Sequence, residues 1–248
     1  MEALVALFRF PFYSFGKYSY QVKVSLLLPP PSALKGALAK GVILLSRKKG
    51  KNLDEIAKKT IEELESKLVY VGAKPYKSSI VKTPILLKRL RNLEESKKSK
   101  DDDNDKSDAM RREYVFTREI LGIYVFKEKL PKEEKNLILK AVYLIDQLGD
   151  TECVGNVIKA EWVEMKEEKT PLKSYVKLKK VSKISINGGI IENMLETPNF
   201  GNKVKEVSYL LPIVEKCYKR DSYYIESDRI FNGNYKIIAF DEVIGLWI

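Results

Sequence analysis

Residues 8–41 read FRFPFYSFGKYSYQVKVSLLLPPPSALKGALAKG, and this stretch decides the fold. The apolar run at residues 2–10 predicts a central strand, because it is apolar on both faces apart from Glu2 and Arg9. Residues 18–26 alternate between apolar and polar side chains, which predicts a half-buried strand with Tyr18 and Tyr20 on the buried side. Three prolines follow, and they end the strand because proline cannot donate a ladder hydrogen bond.

The chain after the prolines has the pattern of a helix over about residues 33–46 that Ser32 can cap. Its N-terminus offers unpaired N–H groups and the positive end of the helix dipole; Lys35 adds a charge, and Gly36 permits close approach. This helix start is therefore a candidate anion site. The alternative stays open that Ser32 only caps the helix and Gly36 only permits close packing.

The composition favours an anionic partner. The 248 residues have a net charge of +11, and the first 50 contain eight Lys and Arg residues against one acid. A nucleic-acid backbone suits such a surface. The sequence has no histidine, so the commonest general base and metal ligand is missing.

The sequence gives little support for a metal-binding, cofactor-dependent or membrane protein. Cys153 and Cys217 lack metal-ligand spacing, and no phosphate-binding glycine motif occurs, so we expect neither a metal nor a cofactor. The N-terminus does not resemble a signal peptide, and lysines interrupt the apolar windows. We expect a cytoplasmic protein without a membrane partner.

Helix caps and the spacing of apolar residues predict further helices and strands. Asn52 and Glu55 form a capping pair that starts a second helix, and residues 132–148 predict a third helix that Gly149 ends. Two β-prone arms flank a polar segment at residues 92–110, which predicts a long hairpin. From Thr170 the pattern is short strands and turns, with no convincing helix.

The order strand, helix, strand, strand, helix, strand predicts an α+β fold of the RRM or ferredoxin-like type. We expect a first domain at residues 1–165, a thumb hairpin at about 83–126 and a β-rich C-terminal addition at 166–248.

Aromatic and basic residues interleave near the N-terminus. We expect Tyr13 and Lys17 to be exposed in a loop, where a ring can stack on a base and an ammonium can neutralise a phosphate. The hairpin arms add six basic residues that could clamp an extended strand: Lys88, Arg89, Arg91, Arg111, Arg112 and Arg118.

Three segments in this order resemble the fifth family of CRISPR-associated proteins, the Cas5-type RAMP subunits of Cascade, in their archaeal type I-A branch. They are LFRFPFYSFGKYSYQVKVSLLLPPPSALKGALAKGV, YLIDQLGDTECVGNV and YLLPI. The resemblance implies a RAMP-type domain with a thumb, and a non-catalytic subunit that binds the 5′ handle of crRNA and nucleates the backbone filament of the complex in antiviral defence. It also implies a backbone subunit of Cas family 7 and a large subunit of Cas family 8 as partners. A small subunit and a helicase/nuclease of Cas family 3 are further candidates.

Carried onto this sequence, the resemblance assigns RNA binding to the loop at residues 13–17, to the helix start and to the thumb arms. Together with neighbouring cations, the candidate RNA-binding residues are Arg9, Tyr13, Lys17, Ser32, Lys35, Gly36, Lys40, Arg89, Arg91 and Arg112.

Two alternatives remain open. One branch of the family cleaves precursor crRNA with a Tyr, Lys and His set, so the chain could be a metal-independent endoribonuclease; the missing histidine speaks against this. The other is a stand-alone RNA-binding protein of a different pathway.

Overall fold

The computed structural model describes residues 1–17, 22–46, 50, 52–90, 107–181, 183–200, 206–219 and 221–248. The helices in these ranges are α1 (Pro31–Ser46), α2 (Leu53–Lys67), α3 (Lys132–Tyr143) and α4 (Leu178–Val181). The strands are β1 (Glu2–Arg9), β2 (Phe12–Tyr13), β3 (Gly16–Lys17), β4 (Val22–Ser25), β5 (Leu68–Pro75), β6 (Val81–Leu90), β7 (Ser107–Phe116), β8 (Ile120–Phe126), β9 (Asn156–Glu164), β10 (Lys166–Pro171), β11 (Val176–Lys177), β12 (Ile190–Leu195), β13 (Glu206–Leu211), β14 (Ile213–Tyr218), β15 (Asp221–Glu226), β16 (Asn232–Ala239) and β17 (Glu242–Leu246).

The central sheet has the strand order β5-β8-β1-β9, and each neighbouring pair is antiparallel. Helices α1 and α2 connect β1 to β5, and α3 connects β8 to β9. Along the chain, β1, β5, β8 and β9 are the first, second, third and fourth strands of a βαββαβ unit. Numbered in this way, the strand order in the sheet is 2-3-1-4. This is the ferredoxin-like arrangement, and the predicted fold class is confirmed.

Both faces of β1 are covered. Leu4, Ala6 and Phe8 pack in the core that also contains buried residues of α1 and α3. Ala3, Val5 and Leu7 pack on the opposite face against buried residues of β16 and β17. The two-sided apolar pattern of this strand therefore follows from its position between two layers, as a central strand requires.

The C-terminal strands supply the second layer and further small sheets. One sheet has the order β10-β16-β17 and another the order β11-β13-β12. Tyr175, Met194 and Tyr209 also reach the core beside α1. The predicted domain boundary near residue 165 stays a prediction. None of the described helices is long and apolar enough to cross a membrane.

The predicted cap of α1 is wrong by two residues. The helix begins at Pro31, and the Pro30 carbonyl accepts hydrogen bonds from the N–H groups of Ala33 (3.0 Å) and Leu34 (3.2 Å). Ser32 therefore lies inside the first turn. Proline is well placed at a first helical position, because its missing N–H would have no partner in the helix.

The other helices follow the sequence signals in part. Asn52 caps α2, with its side chain accepting from the Glu55 N–H at 2.7 Å, which confirms the capping pair. The predicted end of α3 at residue 148 is wrong, because the helix ends at Tyr143. Leu148 instead donates to the Cys153 carbonyl at 3.2 Å, so Gly149 closes a turn rather than a helix. The short helix α4 was not predicted.

The predicted hairpin forms from β6 and β7, which pair antiparallel from Val81 with Phe116 to Leu90 with Ser107. Its tip lies outside the described residues. The expected second arm up to residue 126 is wrong, because β8 leaves the hairpin and enters the central sheet. Strands β2 and β4 both pair with β7, so the base of the hairpin is part of a larger sheet.

Strand β4 has the opposite orientation from the one that its apolar alternation predicts. Val22 and Val24 are 39% and 44% exposed, whereas Ser25 is buried. The Ser25 N–H donates to the Glu113 carboxylate at 3.1 Å, and Lys23 contacts Asp150 at 2.6 Å. These polar contacts hold the polar side of the strand inward. Tyr18 and Tyr20 lie outside the described residues.

Candidate nucleic-acid interface

A groove with a volume of about 850 Å³ lies beside α1. One wall is the helix face that carries Ser32, Gly36 and Lys40. The other walls come from the loop at residues 14–16, the turn at residues 147–150 and the C-terminal third. Two segments that the sequence resemblance singled out thus meet at the helix start: the aromatic loop (residues 13–17) and the LGDTE turn (residues 148–152).

The helical repeat explains which residues share this wall. Ser32, Gly36 and Lys40 are spaced four apart, so they lie along one face of α1. A Cβ atom added at Gly36 would meet only the Pro198 Cγ at 3.7 Å, an ordinary contact distance. Gly36 therefore keeps the groove open rather than permitting close helix packing.

Lys35 does not join this wall. Its ammonium contacts the Glu65 carboxylate at 2.6 Å, and its side chain is only 9% exposed. Glu65 also accepts a hydrogen bond from the Thr197 hydroxyl at 2.7 Å. The expectation of a free charge at the helix start is therefore wrong for Lys35, which joins α1 to α2.

Lys40 lies in the groove wall, but it is also paired. Its ammonium contacts the Asp146 carboxylate at 2.6 Å, and both side chains are about half-exposed or more. The hydrogen bond from Lys40 lowers the pKa of Asp146. An exposed pair of this kind is weak, so an anionic ligand can compete for Lys40 at little cost.

Tyr13 is buried, so its expected exposure is wrong. It lies in β2 opposite Val115, and its hydroxyl donates to the Leu27 carbonyl at 2.5 Å. Burial raises the pKa of the Tyr13 phenol. The loop residue pairs with β7 as a strand, which turns its ring into the core rather than towards a ligand.

The turn at residues 147–150 packs directly on the aromatic loop. The Asp150 N–H donates to the Ser14 carbonyl at 3.2 Å. Gly149 has φ +101°, and a Cβ there would lie 2.6 Å from the Ser14 oxygen. Only glycine combines that backbone conformation with this approach, so the LGDTE turn needs Gly149 for its shape.

Arg112 joins the hairpin to the same turn. Its guanidinium contacts the Glu152 carboxylate and lies 3.6 Å from Asp150 Oδ2. Tyr114 donates to Glu152 at 2.7 Å. Partial burial by itself would raise the pKa of Glu152, but the Tyr114 hydrogen bond and the Arg112 charge lower it to about 2. Arg112 thus has a structural role at the base of the hairpin.

The remaining predicted residues divide into two sets. The half-exposed Arg9 pairs with Glu119 at 2.5 Å and does not line the groove. The side chains of Lys17 and Arg89, and all of Arg91, lie outside what the structure describes. In the described ranges no three His, Cys, Asp or Glu side chains come together as a metal ion would require.

The C-terminal third supplies groove residues that sequence reasoning missed: Asn193, Leu195, Pro198, Asn199 and Glu206. They come from the end of β12, the segment after it and the start of β13. No local pattern marked them, because their approach to α1 depends on the packing of β12 beside that helix.

The ferredoxin-like sheet and the β-hairpin beside it are the features of the RAMP-type fold that the sequence resemblance predicts. A sequence profile described as CRISPR-associated protein (Cas_Cas5) matches residues 3–222. The chain is also 82% identical over 248 residues to the CRISPR-associated protein Cas5 of Methanocaldococcus jannaschii, covering 100% of this chain and 99% of that protein. The chain belongs to the CRISPR-associated protein Cas5 family.

One solved structure shares this fold. A crystal structure of a CRISPR protein from Archaeoglobus fulgidus aligns with a TM-score of 0.53 at 16% identity, covering 100% of both chains. A chain of a CRISPR RNA-guided surveillance complex aligns with a TM-score of 0.48 at 11% identity, covering 93% of this chain and 91% of that one.

Proposed function

We propose that this chain is a non-catalytic subunit of a type I CRISPR surveillance complex of the Cascade kind, and that it binds the 5′ handle of crRNA in the groove beside α1. The observation that carries the proposal is the convergence of the α1 face, the aromatic loop and the LGDTE turn on one groove in a member of the Cas5 family.

The groove is suited to a nucleotide chain rather than to a compact ligand. Its volume of about 850 Å³ has room for more than one nucleotide, and it is lined by both apolar and polar side chains. Gly36 leaves the backbone of α1 accessible, and Ser32 supplies a hydroxyl to the same wall. The net charge of +11 favours association with a polyanion.

The residues of the groove favour binding over catalysis. The sequence contains no histidine, and no tyrosine is among the described residues that line the groove. Lys40 is the one lysine of the described lining, and its ammonium contacts the Asp146 carboxylate. This supports assigning precursor processing to another protein of the system.

The proposal extends to partners and location. Starting the backbone filament implies contact with a subunit of Cas family 7 and with a large subunit of Cas family 8. A small subunit and a Cas family 3 helicase/nuclease would join the same assembly, in the cytoplasm.

The first test compares binding of a repeat-handle RNA with that of a scrambled RNA of equal length, at two salt concentrations. Gly36→Glu places a negative side chain in the groove, and we expect it to weaken handle binding by at least about tenfold. Gly36→Ala is the matched control, because a methyl group fits at this position. Equal affinity for the two RNAs, or equal affinity of the two variants, would contradict handle recognition in this groove.

The second test concerns the assembly and the chemistry. Co-expression with the other proteins of the locus should yield a complex whose co-purified RNA begins with the handle sequence. Incubation of the isolated chain with precursor repeat RNA in EDTA should leave the RNA intact; a single defined cut would replace the proposal with the endoribonuclease alternative.

A further inference from the structure

A second pocket lies on the other side of the start of α1, where Lys35 rather than Ser32 faces it. Its volume is about 330 Å³, and its walls include parts of α1, α2, β5, α4 and β13. We call it the lysine pocket, defined by Lys35, Lys177, Lys180, Tyr209 and Trp247. Since Ser32, Gly36 and Lys40 do not line it, the lysine pocket is separate from the groove.

Positive charge in the lysine pocket exceeds negative charge. Lys35 is paired with Glu65, and Lys177 contacts Glu196. Lys180 makes no ion pair with any residue that the structure describes. Desolvation and the nearby Lys177 charge lower the pKa of Lys180, and the Glu196 carboxylate offsets this only in part. An anion placed beside these two ammonium groups would relieve their repulsion.

Tyr209 adds an unused donor. It is 3% exposed, and its hydroxyl has no hydrogen-bond partner among the described residues. The hydroxyl of Tyr70, which lines the same pocket, lies 2.8 Å from the Tyr175 carbonyl and 2.7 Å from Ser174 Oγ. Burial raises the pKa of Tyr209, so its phenol stays protonated at neutral pH. Because Tyr209 lines the pocket, its hydroxyl can donate a hydrogen bond to a ligand acceptor there.

Trp247 offers a flat surface in the same pocket. Its ring is partly exposed and is held edge-on against Phe231, with centroids 5.8 Å apart. Aromatic rings of this kind stack on nucleobases with little dependence on the base. The pocket volume is at the lower end of the range for small-molecule sites, which suits one nucleotide.

We propose that the lysine pocket binds a nucleoside phosphate, with the phosphate group at Lys177, Lys180 and the Tyr209 hydroxyl and the base against Trp247. Two sources carry this chemistry, a free mononucleotide and the phosphorylated end of an RNA. The inference does not depend on handle binding in the groove, because the two sites share no proposed ligand-binding residue.

The test uses Trp247 as its own reporter. The chain has two tryptophans, and Trp162→Phe leaves Trp247 as the single tryptophan, whose emission can be excited selectively over that of tyrosine. In that background we expect AMP to quench the fluorescence in a saturable way, and adenosine and inorganic phosphate to bind at least about tenfold more weakly. A 5′-phosphorylated tetranucleotide titrated in parallel distinguishes an RNA end from a free nucleotide.

Two substitutions locate the ligand. Lys180→Ala and Tyr209→Phe should each weaken AMP binding by about five- to tenfold. Lys183→Ala is the charge-matched control, since this exposed lysine lies outside the pocket. Adenosine binding as tightly as AMP, no saturable quenching at millimolar AMP, or unchanged binding in both variants would overturn the proposal. The affinity for handle RNA is measured on the same variants, so that failure of nucleotide binding in the lysine pocket can be distinguished from failure of the proposed function.

Discussion

Arg112 of β7 and Glu152 of the LGDTE turn form an ion pair that joins the base of the hairpin to the central domain. The two residues are 40 positions apart in the chain. Because the same turn lines the groove, the pair couples the position of the hairpin to the shape of the candidate interface.

The Arg112–Glu152 pair predicts a specific pH dependence. The pKa of Glu152 falls from an ordinary value of 4.5 to about 2 in the folded protein. A carboxylate whose pKa is lowered by folding stabilises the folded state at pH values above the pKa that it has in the unfolded chain. This contribution is lost as the pH falls from 4.5 towards 2. Glu152→Gln should therefore lower the free energy of unfolding by about 1–2 kcal/mol at neutral pH, allowing for solvent screening. The side chain is 34% exposed, which is the reason for that allowance.

Urea unfolding of both proteins at several pH values checks this. The difference between wild type and Glu152→Gln should shrink as the pH falls below 4.5 and disappear near 2. Glu167→Gln, at an exposed acid, is the control and should leave the stability unchanged. A difference that stays constant down to pH 2 would rule out the ionised pair as its cause.

The burial of Tyr13 predicts a loss of stability rather than of RNA affinity. Tyr13→Phe removes the hydroxyl that donates to the Leu27 carbonyl and leaves that carbonyl without this partner. We expect the free energy of unfolding to fall by about 1 kcal/mol. Binding of handle RNA should be unchanged at a temperature where both proteins are folded. Tyr223→Phe, at a partly exposed ring, serves as the control. Lost RNA binding at unchanged stability would instead restore a stacking role for Tyr13.

Lys35 should behave as a structural cation. Lys35→Met leaves the Glu65 carboxylate without its ammonium partner, and we expect a loss of about 1–3 kcal/mol in unfolding free energy. The double variant Lys35→Met/Glu65→Gln should recover part of that loss, since no unpaired charge remains. A thermal-unfolding cycle of the four proteins gives the coupling energy. Additive losses, together with a reduced salt slope for RNA binding, would return Lys35 to the RNA site.

Substitution by alanine should change the stability of the protein in opposite directions at the two glycines inside α1. Gly36→Ala gains helix propensity without a clash, so we expect about 0.5–1 kcal/mol of added stability. At Gly41 an added Cβ would lie 2.1 Å from the Ala141 carbonyl oxygen, so Gly41→Ala should cost about 1–3 kcal/mol. Urea midpoints of the two variants measure the contrast. Similar shifts in both would mean that α1 and α3 are not in close contact.

The sequence predicted the elements whose signals are local. The capping pair Asn52 and Glu55 are three residues apart, and their hydrogen bond forms as expected. The end of α3 was missed because the turn at Gly149 also fits a helix stop, and the Leu148 hydrogen bond to Cys153 was not visible in the pattern. The orientation of β4 was misread because side-chain alternation does not say which side has polar partners.

By itself, the sequence determined the order of the strands and helices of the central βαββαβ unit, the excess of positive charge and the absence of histidine, because these depend on composition and on neighbours a few residues apart. Only the tertiary structure decided which cations are available to a ligand. Lys23 meets Asp150 across 127 positions, and Lys35 meets Glu65 across 30. Such pairs form only when folding brings distant segments together and removes their charges from water, and no local pattern encodes that proximity.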